Sequence, residues 1–319
     1  MESSSRKIAV IGSGAVGGFY GGLLSKSGCD VSFLIHSQFE SVKESGLFIE
    51  SIWGDFNLPQ AKYVSSSKDF DTEIDIILIA LKSTENKQLT ELLRPFQNSR
   101  KKLKIILIQN GIGQEKIIHE LLPQAKVFGG LAFLCSIKKS ANTIQHIDYG
   151  DLTLAESSAD ETALGIGSEL QDLGKLFQEA GITITLEEDL ILARWKKLVW
   201  NIPFNGLSVL LQSQTNELVE NSSSLELIRE LMLEVQKAAL SEGRIIPNSF
   251  LEDRLQKTFS MKPYPTSMKL DYDQGRSMEL DAIYRSVLQR AESFNLNLPN
   301  IMFLLYSLEY LEKYRNDKK

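Results

Sequence analysis

Apolar residues in the first half of the chain come in short unbroken runs, and in the second half at intervals of three and four. Residues 7–11 (K-I-A-V-I), 30–35 (D-V-S-F-L-I), 74–81 (I-D-I-I-L-I-A-L) and 104–108 (K-I-I-L-I) are such runs, with helical stretches between them. Runs this short and apolar predict strands buried on both faces, as in a parallel, doubly wound sheet. Residues 46–64 differ and predict two short strands around Trp53-Gly54-Asp55, a hairpin excursion. Residues 127–136 and 143–155 predict later strands that extend the sheet. From about Glu188 the period changes. Residues 190–211, 224–242, 248–259, 280–294 and 300–313 carry helical spacing, and strand signals vanish. The pattern predicts an α/β domain at 1–187 and an all-α domain at 188–319, joined without a flexible Gly/Ser linker.

The first strand leads straight into Gly12-Ser13-Gly14-Ala15-Val16-Gly17, a G-x-G-x-x-G turn that opens a helix. Gly12 allows the tight turn, Gly14 lets the backbone approach a pyrophosphate, and Gly17 lets the helix pack close to the sheet. The helix N-terminus then offers free N–H groups to the anion. The motif alone is weak evidence and also fits an ordinary glycine-rich turn; the strand before it and the helix after it supply the confirming context. A Rossmann-type dinucleotide-binding domain is therefore expected, with residues 12–17 at the cofactor.

A chain of 319 residues is long enough for about two domains. A net charge of −6 offers no basic excess to neutralise phosphates, which argues against a nucleic-acid partner. Arg100-Lys101-Lys102 reads as solvated loop charge. Cys29 and Cys135 read as buried thiols of a cytosolic protein, and His36, His119 and His146 lack ligand spacing, so no metal is expected. No apolar stretch of about 20 residues occurs, so no membrane span is expected. The polar start shows no signal peptide, which makes the cytoplasm the expected location.

Ligands of such sheets sit at the carboxyl ends of the strands. Lys82 follows one strand there, and Gln109-Asn110-Gly111 follows another. Each has a plainer reading, a surface lysine and a simple turn. Lys197, Asn201 and Asn205 are spaced four apart and share one helix face. They form either a solvent face or, amid Leu198, Val199, Trp200, Ile202 and Phe204, a polar stripe facing a cleft. Pro203 predicts a kink or break in that helix. Ser267 and Glu279 can reach one cleft if residues 273–275 turn the chain, although Glu279 can equally sit in a first helical turn.

Together these residues resemble the ketopantoate reductase family. The resemblance rests on G-x-G-x-x-G, the L-K-S at 81–83, Gln109-Asn110-Gly111, the W-x-K-L-x-x-N-x-x-x-N run at 195–205, and the S-M-x-x-D…E-x-D run at 267–281. It implies an active site between a Rossmann domain and a helical domain, and an NADPH-dependent reduction of ketopantoate to pantoate on the route to pantothenate and coenzyme A. It also implies roles. Lys197 is the catalytic general acid, with Glu279 beside it fixing substrate or cofactor. Asn110, Asn201, Asn205 and Ser267 bind substrate, and Lys82, Asn110 and Glu279 join residues 12–17 at the cofactor.

Two positions depart from the family pattern. His36 stands where many members place an arginine for the 2′-phosphate of NADP, and neutral histidine is a poorer phosphate clamp. No acidic residue stands there for the ribose of NAD either, so NADP is favoured over NAD. Glu85 lies close to Lys82, and an ion pair between them could change how that lysine is used. The expected protein is a cytoplasmic NAD(P)-dependent oxidoreductase with a small 2-oxo acid substrate and a helical domain able to support a homodimer. The alternatives are a reductase of another 2-oxo acid on the same fold and a non-catalytic dinucleotide-sensing protein.

Overall fold

The computed structural model describes residues 6–59, 61–263 and 265–316; the polar start at 1–5 lies outside them. The chain divides into two compact units, one of residues 1–109 and 114–190, the other of Asn110–Gly113 and Ile191–Lys319.

The first unit is one ten-stranded sheet with helices. Its strands are β1 (Lys7–Ile11), β2 (Asp30–Leu34), β3 (Leu47–Ser51), β4 (Phe56–Leu58), β5 (Lys62–Val64), β6 (Ile76–Ile79), β7 (Lys104–Leu107), β8 (Lys126–Lys138), β9 (Thr143–Ser157) and β10 (Ile184–Leu186). The order is β4-β3-β9-β8-β7-β6-β1-β2-β5, with β10 on β9. From β8 through β7, β6, β1 and β2 to β5 every pairing is parallel. The runs are apolar throughout because both faces are covered. Ile8, Val10, Ile76 and Leu78 join the core on one face, and Ala9, Ile11, Ile77 and Ile79 join that on the other. The expected hairpin is present as antiparallel β3 and β4, and β3 also adds to β9 in parallel.

The helices of this unit are α1 (Ala15–Lys26), α2 (Phe39–Ser45), α3 (Leu89–Leu93), α4 (Glu115–Leu121) and α5 (Ser168–Glu179). β8 and β9 form a long antiparallel hairpin whose register shifts twice, between Phe133 and Leu134 and between Cys135 and Ser136. Such irregularities bend a ribbon. The bent hairpin packs over α1, where a Cβ on Gly18 would lie 2.1 Å from Ile144 Cδ1. Tyr20 Oη donates to Asp151 O at 3.0 Å beside it. Cys135 is buried as expected, whereas Cys29 lies just ahead of β2 and is only half-buried.

The second unit is helical, with no strand among its described residues. It contains α6 (Leu190–Leu210), α7 (Thr215–Glu220), α8 (Ser222–Ser241), α9 (Asn248–Phe259), α10 (Ser267–Asp273), α11 (Ser286–Ser293) and α12 (Pro299–Asn316). α6 runs unbroken through Pro203, so the break expected there is absent. The helix expected over 280–294 is not uniform either, because Asp281–Arg285 is a π-turn ahead of α11. Trp195, Leu198, Val199, Ile202 and Phe204 anchor α6 in one apolar core with Ile228, Met232 and Val235 of α8 and Ile301, Leu305 and Leu308 of α12.

α12 begins against a buried carboxylate. Glu234, 4% exposed, accepts from Asn300 N and Ile301 N at 2.9 Å each. Negative charge at a helix N-terminus satisfies orphan amides and complements the helix dipole. Glu234→Ala leaves two buried N–H groups unpaired and is expected to cost about 2–3 kcal/mol, with Glu234→Gln costing less because one oxygen still accepts. Urea denaturation checks this; equal stability of the alanine variant and wild type would contradict it.

Candidate functional site

In the first unit the polar features gather where β1 turns into α1. Gly12 has φ +97°, and a Cβ there would lie 2.5 Å from Leu81 N, so only glycine makes this turn against the end of β6. A Cβ on Gly17 would lie 2.2 Å from Gly12 O. Gly14 is different, for a Cβ there would meet nothing within 4 Å. Gly14 is also the N-cap of α1 and gives it no side-chain cap. An open approach to uncapped amide groups fits the pyrophosphate of a dinucleotide. Ser13 Oγ donates to Leu34 O at 2.9 Å and ties the turn to the end of β2.

Beside the turn lies a recess of about 140 Å³, lined by Gly12, Ser13, Gly14, residues 34–37 and Lys138. His36, just past β2, lines this recess and is exposed. Ala15, Val16, Gly17 and Lys82 do not line this recess. Lys82 follows β6 and caps a 3₁₀ turn at Ser83–Gln88. Gln88 Nε2 donates to the Glu85 carboxylate in that turn. Gln109 at the end of β7 donates to Leu81 O at 2.9 Å and Asn86 Oδ1 at 2.8 Å, and Asn86 Nδ2 donates to Gln114 Oε1 at 2.9 Å. Three amide side chains thus fix the loops that follow β6 and β7.

In the second unit five polar residues of α6 form one ridge: Arg194, Lys197, Asn201, Asn205 and Ser208, spaced three, four, four and three. Lys197 is half-buried and the other four are buried, so the solvent-face reading of the stripe does not hold. The Lys197 pKa is brought down to about 7: desolvation lowers it most, the Arg194 guanidinium lowers it too, and the Glu279 carboxylate opposes both. Glu279 is 7% exposed and lies just ahead of the π-turn, a local form often found at functional sites. Asn110 Nδ2 donates to Glu279 Oε2 at 3.3 Å. Gly111 sits so close to Ala282 that a Cβ would lie 2.2 Å from its carbonyl oxygen. Asn110 thus joins Glu279 and Lys197 in the same unit.

Ser267 is exposed at the first position of α10. The preceding Thr266 caps that helix, accepting from Lys269 N at 3.2 Å. Its hydroxyl lies 2.7 Å from Ser208 Oγ, and Ser208 Oγ donates to Asn205 O at 3.0 Å. Two buried hydroxyls therefore set Ser267 relative to Asn205.

Two family models cover most of the chain. Residues 8–159 match ketopantoate reductase PanE/ApbA, and residues 189–312 match ketopantoate reductase PanE/ApbA C terminal. The chain belongs to the ketopantoate reductase family. It is 45% identical to a 2-dehydropantoate 2-reductase of Nostoc sp., over 97% of this chain and 96% of that one. The 2-dehydropantoate 2-reductase of Geobacter metallireducens has the same fold, with a TM-score of 0.88 and 35% identity over 95% of this chain and 99% of that one. A D-mandelate dehydrogenase solved with NADH and anilino(oxo)acetate shares the fold alone, at a TM-score of 0.87 and 21% identity over 98% of this chain and all (100%) of that one. Family membership and the Rossmann-plus-helical fold are thus as the motifs implied.

Sequence reasoning missed Arg194, Ser208, Thr266 and Lys138. The first two continue the spacing of the α6 stripe in both directions, which was a readable signal. Thr266 precedes a helix as an N-cap residue does. Lys138 carries no local signal. Among the described residues no group of three or more His, Cys, Asp or Glu could hold a metal.

The environment of Lys197 yields a test independent of any reaction. Its amine, followed by NMR after reductive methylation of the lysines, is expected to titrate near pH 7. In Glu279→Gln the opposing carboxylate charge is gone, so the midpoint moves to lower pH. A midpoint that stays in place, or rises, would show that Glu279 does not act on this amine.

Proposed function

We propose that the chain is a 2-dehydropantoate 2-reductase that reduces ketopantoate to pantoate with NADPH. The observation that carries this reading is Lys197, an amine brought to a pKa of about 7 on a helix whose next two turns present buried Asn201 and Asn205. A general acid works best with a pKa near the working pH. The identity with the Nostoc relative supports the substrate.

In this reading residues 1–187 bind the dinucleotide and residues 188–319 bind substrate. The dinucleotide lies along residues 12–17 and His36, with Lys82, Asn110 and Glu279 as further contacts. When bound, the reduced nicotinamide supplies a hydride to the carbonyl carbon of the substrate. Lys197, protonated, donates its proton to the carbonyl oxygen as negative charge grows there. Asn201, Asn205 and Ser267 orient the substrate's carboxylate and hydroxyl by hydrogen bonding. Glu279 holds the proton on Lys197 against the desolvation and the Arg194 charge that favour its loss. Asn110 Nδ2, bonded to Glu279, fixes that carboxylate. A cytoplasmic location and a homodimer go with this reading; the structure itself contains no described helix long and apolar enough to cross a membrane.

Loss of reduced-nicotinamide absorbance on adding ketopantoate tests the reaction, beside a panel of other 2-oxo acids. Saturable turnover with ketopantoate at the highest kcat/KM is expected. A higher value for another 2-oxo acid would overturn the substrate and keep the chemistry. Lys197→Ala is expected to lower kcat by roughly 10²–10⁴-fold while dinucleotide binding persists. The rate of reduction should be full below pH 7 and fall above it, since only the protonated amine can donate. A rate that rises through neutrality would exclude Lys197 as the acid.

A further inference from the structure

The recess beside the β1–α1 turn contains a cation that none of the site residues above accounts for. Residues at the end of the second strand of a dinucleotide-binding sheet face the adenosine ribose: an acidic side chain there holds the free 2′-hydroxyl of NAD, and a cation there accommodates the 2′-phosphate of NADP. After β2 this chain reads Ile35-His36-Ser37-Gln38, with neither an acid nor an arginine. Lys138 lines the recess together with His36 and Ser37. It is the last residue of β8, remote in sequence, and arrives there because the bent β8–β9 hairpin packs over α1. Its Nζ donates to Ser13 O at 3.2 Å, on the residue whose hydroxyl is tied to the end of β2.

We propose that Lys138 is the specificity-determining residue for NADPH, its ammonium binding the 2′-phosphate in the recess formed with His36 and Ser37. This rests on the reading of the chain as a dinucleotide-dependent reductase and names the group that sets its cofactor. The recess suits a dianion. Among the described residues no carboxylate pairs with Lys138, so its charge is not already neutralised. Lys139, one residue on, is paired with Glu50 at 2.7 Å. Partial desolvation lowers the Lys138 pKa, the mark of an ammonium that an incoming anion would stabilise. The Ser37 hydroxyl and the His36 ring N–H supply further donors.

Calorimetry on the full chain tests this with NADPH, NADH, 2′,5′-ADP and 5′-AMP as separate ligands. Wild type is expected to bind NADPH more tightly than NADH, and 2′,5′-ADP more tightly than 5′-AMP. Lys138→Gln should weaken NADPH and 2′,5′-ADP by roughly tenfold or more, the loss of a charge-assisted contact, and leave NADH and 5′-AMP unchanged. Lys138→Arg should keep the preference, and Lys139→Gln should not alter it. The preference should also shrink with added salt in wild type and not in Lys138→Gln. Equal weakening of all four ligands would assign Lys138 to the turn or the pyrophosphate and overturn the proposal, as would unchanged NADPH affinity. A wild type that turns over ketopantoate but binds NADH as tightly as NADPH would overturn this proposal and leave the proposed reaction standing. A wild type that binds neither dinucleotide would overturn both.

Discussion

α6 must be buried on nearly every side and still carry charge. Almost all of its residues from Ile191 to Val209 are buried or half-buried, and an all-round buried helix is ordinarily apolar all round. Here the apolar positions hold the core of the helical unit, and one ridge of polar side chains runs its length. Within that ridge Lys197 is set against Glu279, and Ser208 is bonded to Thr266. The helix cannot break at Pro203 without losing the register of Lys197, Asn201 and Asn205. The tight packing of Trp195, Leu198, Ile202 and Phe204 on both sides of the proline holds it continuous.

The same economy governs the first unit. Parallel strands fully covered on both faces leave polar groups only at the ends, and there glycine lets backbone approach backbone. Gly12 presses against the end of β6 and Gly17 against Gly12. Gly14, between them, opens outward. The amide network of Gln109, Asn86 and Gln114 then holds the neighbouring loops through neutral side chains.

Much of this was legible along the chain. The strand runs, the hairpin at 46–64 and the change to helical period all depend on local spacing, which a sequence displays directly. The G-x-G-x-x-G turn is local too. The stripe on α6 was visible at its centre, but the sequence could not say whether it faced water, because burial is decided by elements far away in the chain. The bond from Asn110 to Glu279 joins loops 169 positions apart, and no spacing rule reaches that far. The π-turn after Glu279 and the continuity of α6 through Pro203 are tertiary overrides of local preference: packing on either side outweighs one lost backbone hydrogen bond. Lys138 was hidden for a further reason. Its place depends on two register shifts in a hairpin, and the same residue on an unbent ribbon would lie elsewhere.

Lys138 and Lys197 both lose basicity to desolvation, and their surroundings differ. Lys197 has a guanidinium on the same helix face pushing its proton off and a carboxylate holding it on. Opposed charges of this kind bring an amine to the point where it can give up a proton at neutral pH and regain it, which is what an acid catalyst needs. Lys138 has its partial burial and a carbonyl oxygen at 3.2 Å, and among the described residues no charge of either sign acts on it. An amine in that position gains most by receiving a permanent anion, which restores the interaction that water supplied. Proton transfer and anion recognition thus use one side-chain type, and the neighbouring charges decide between them.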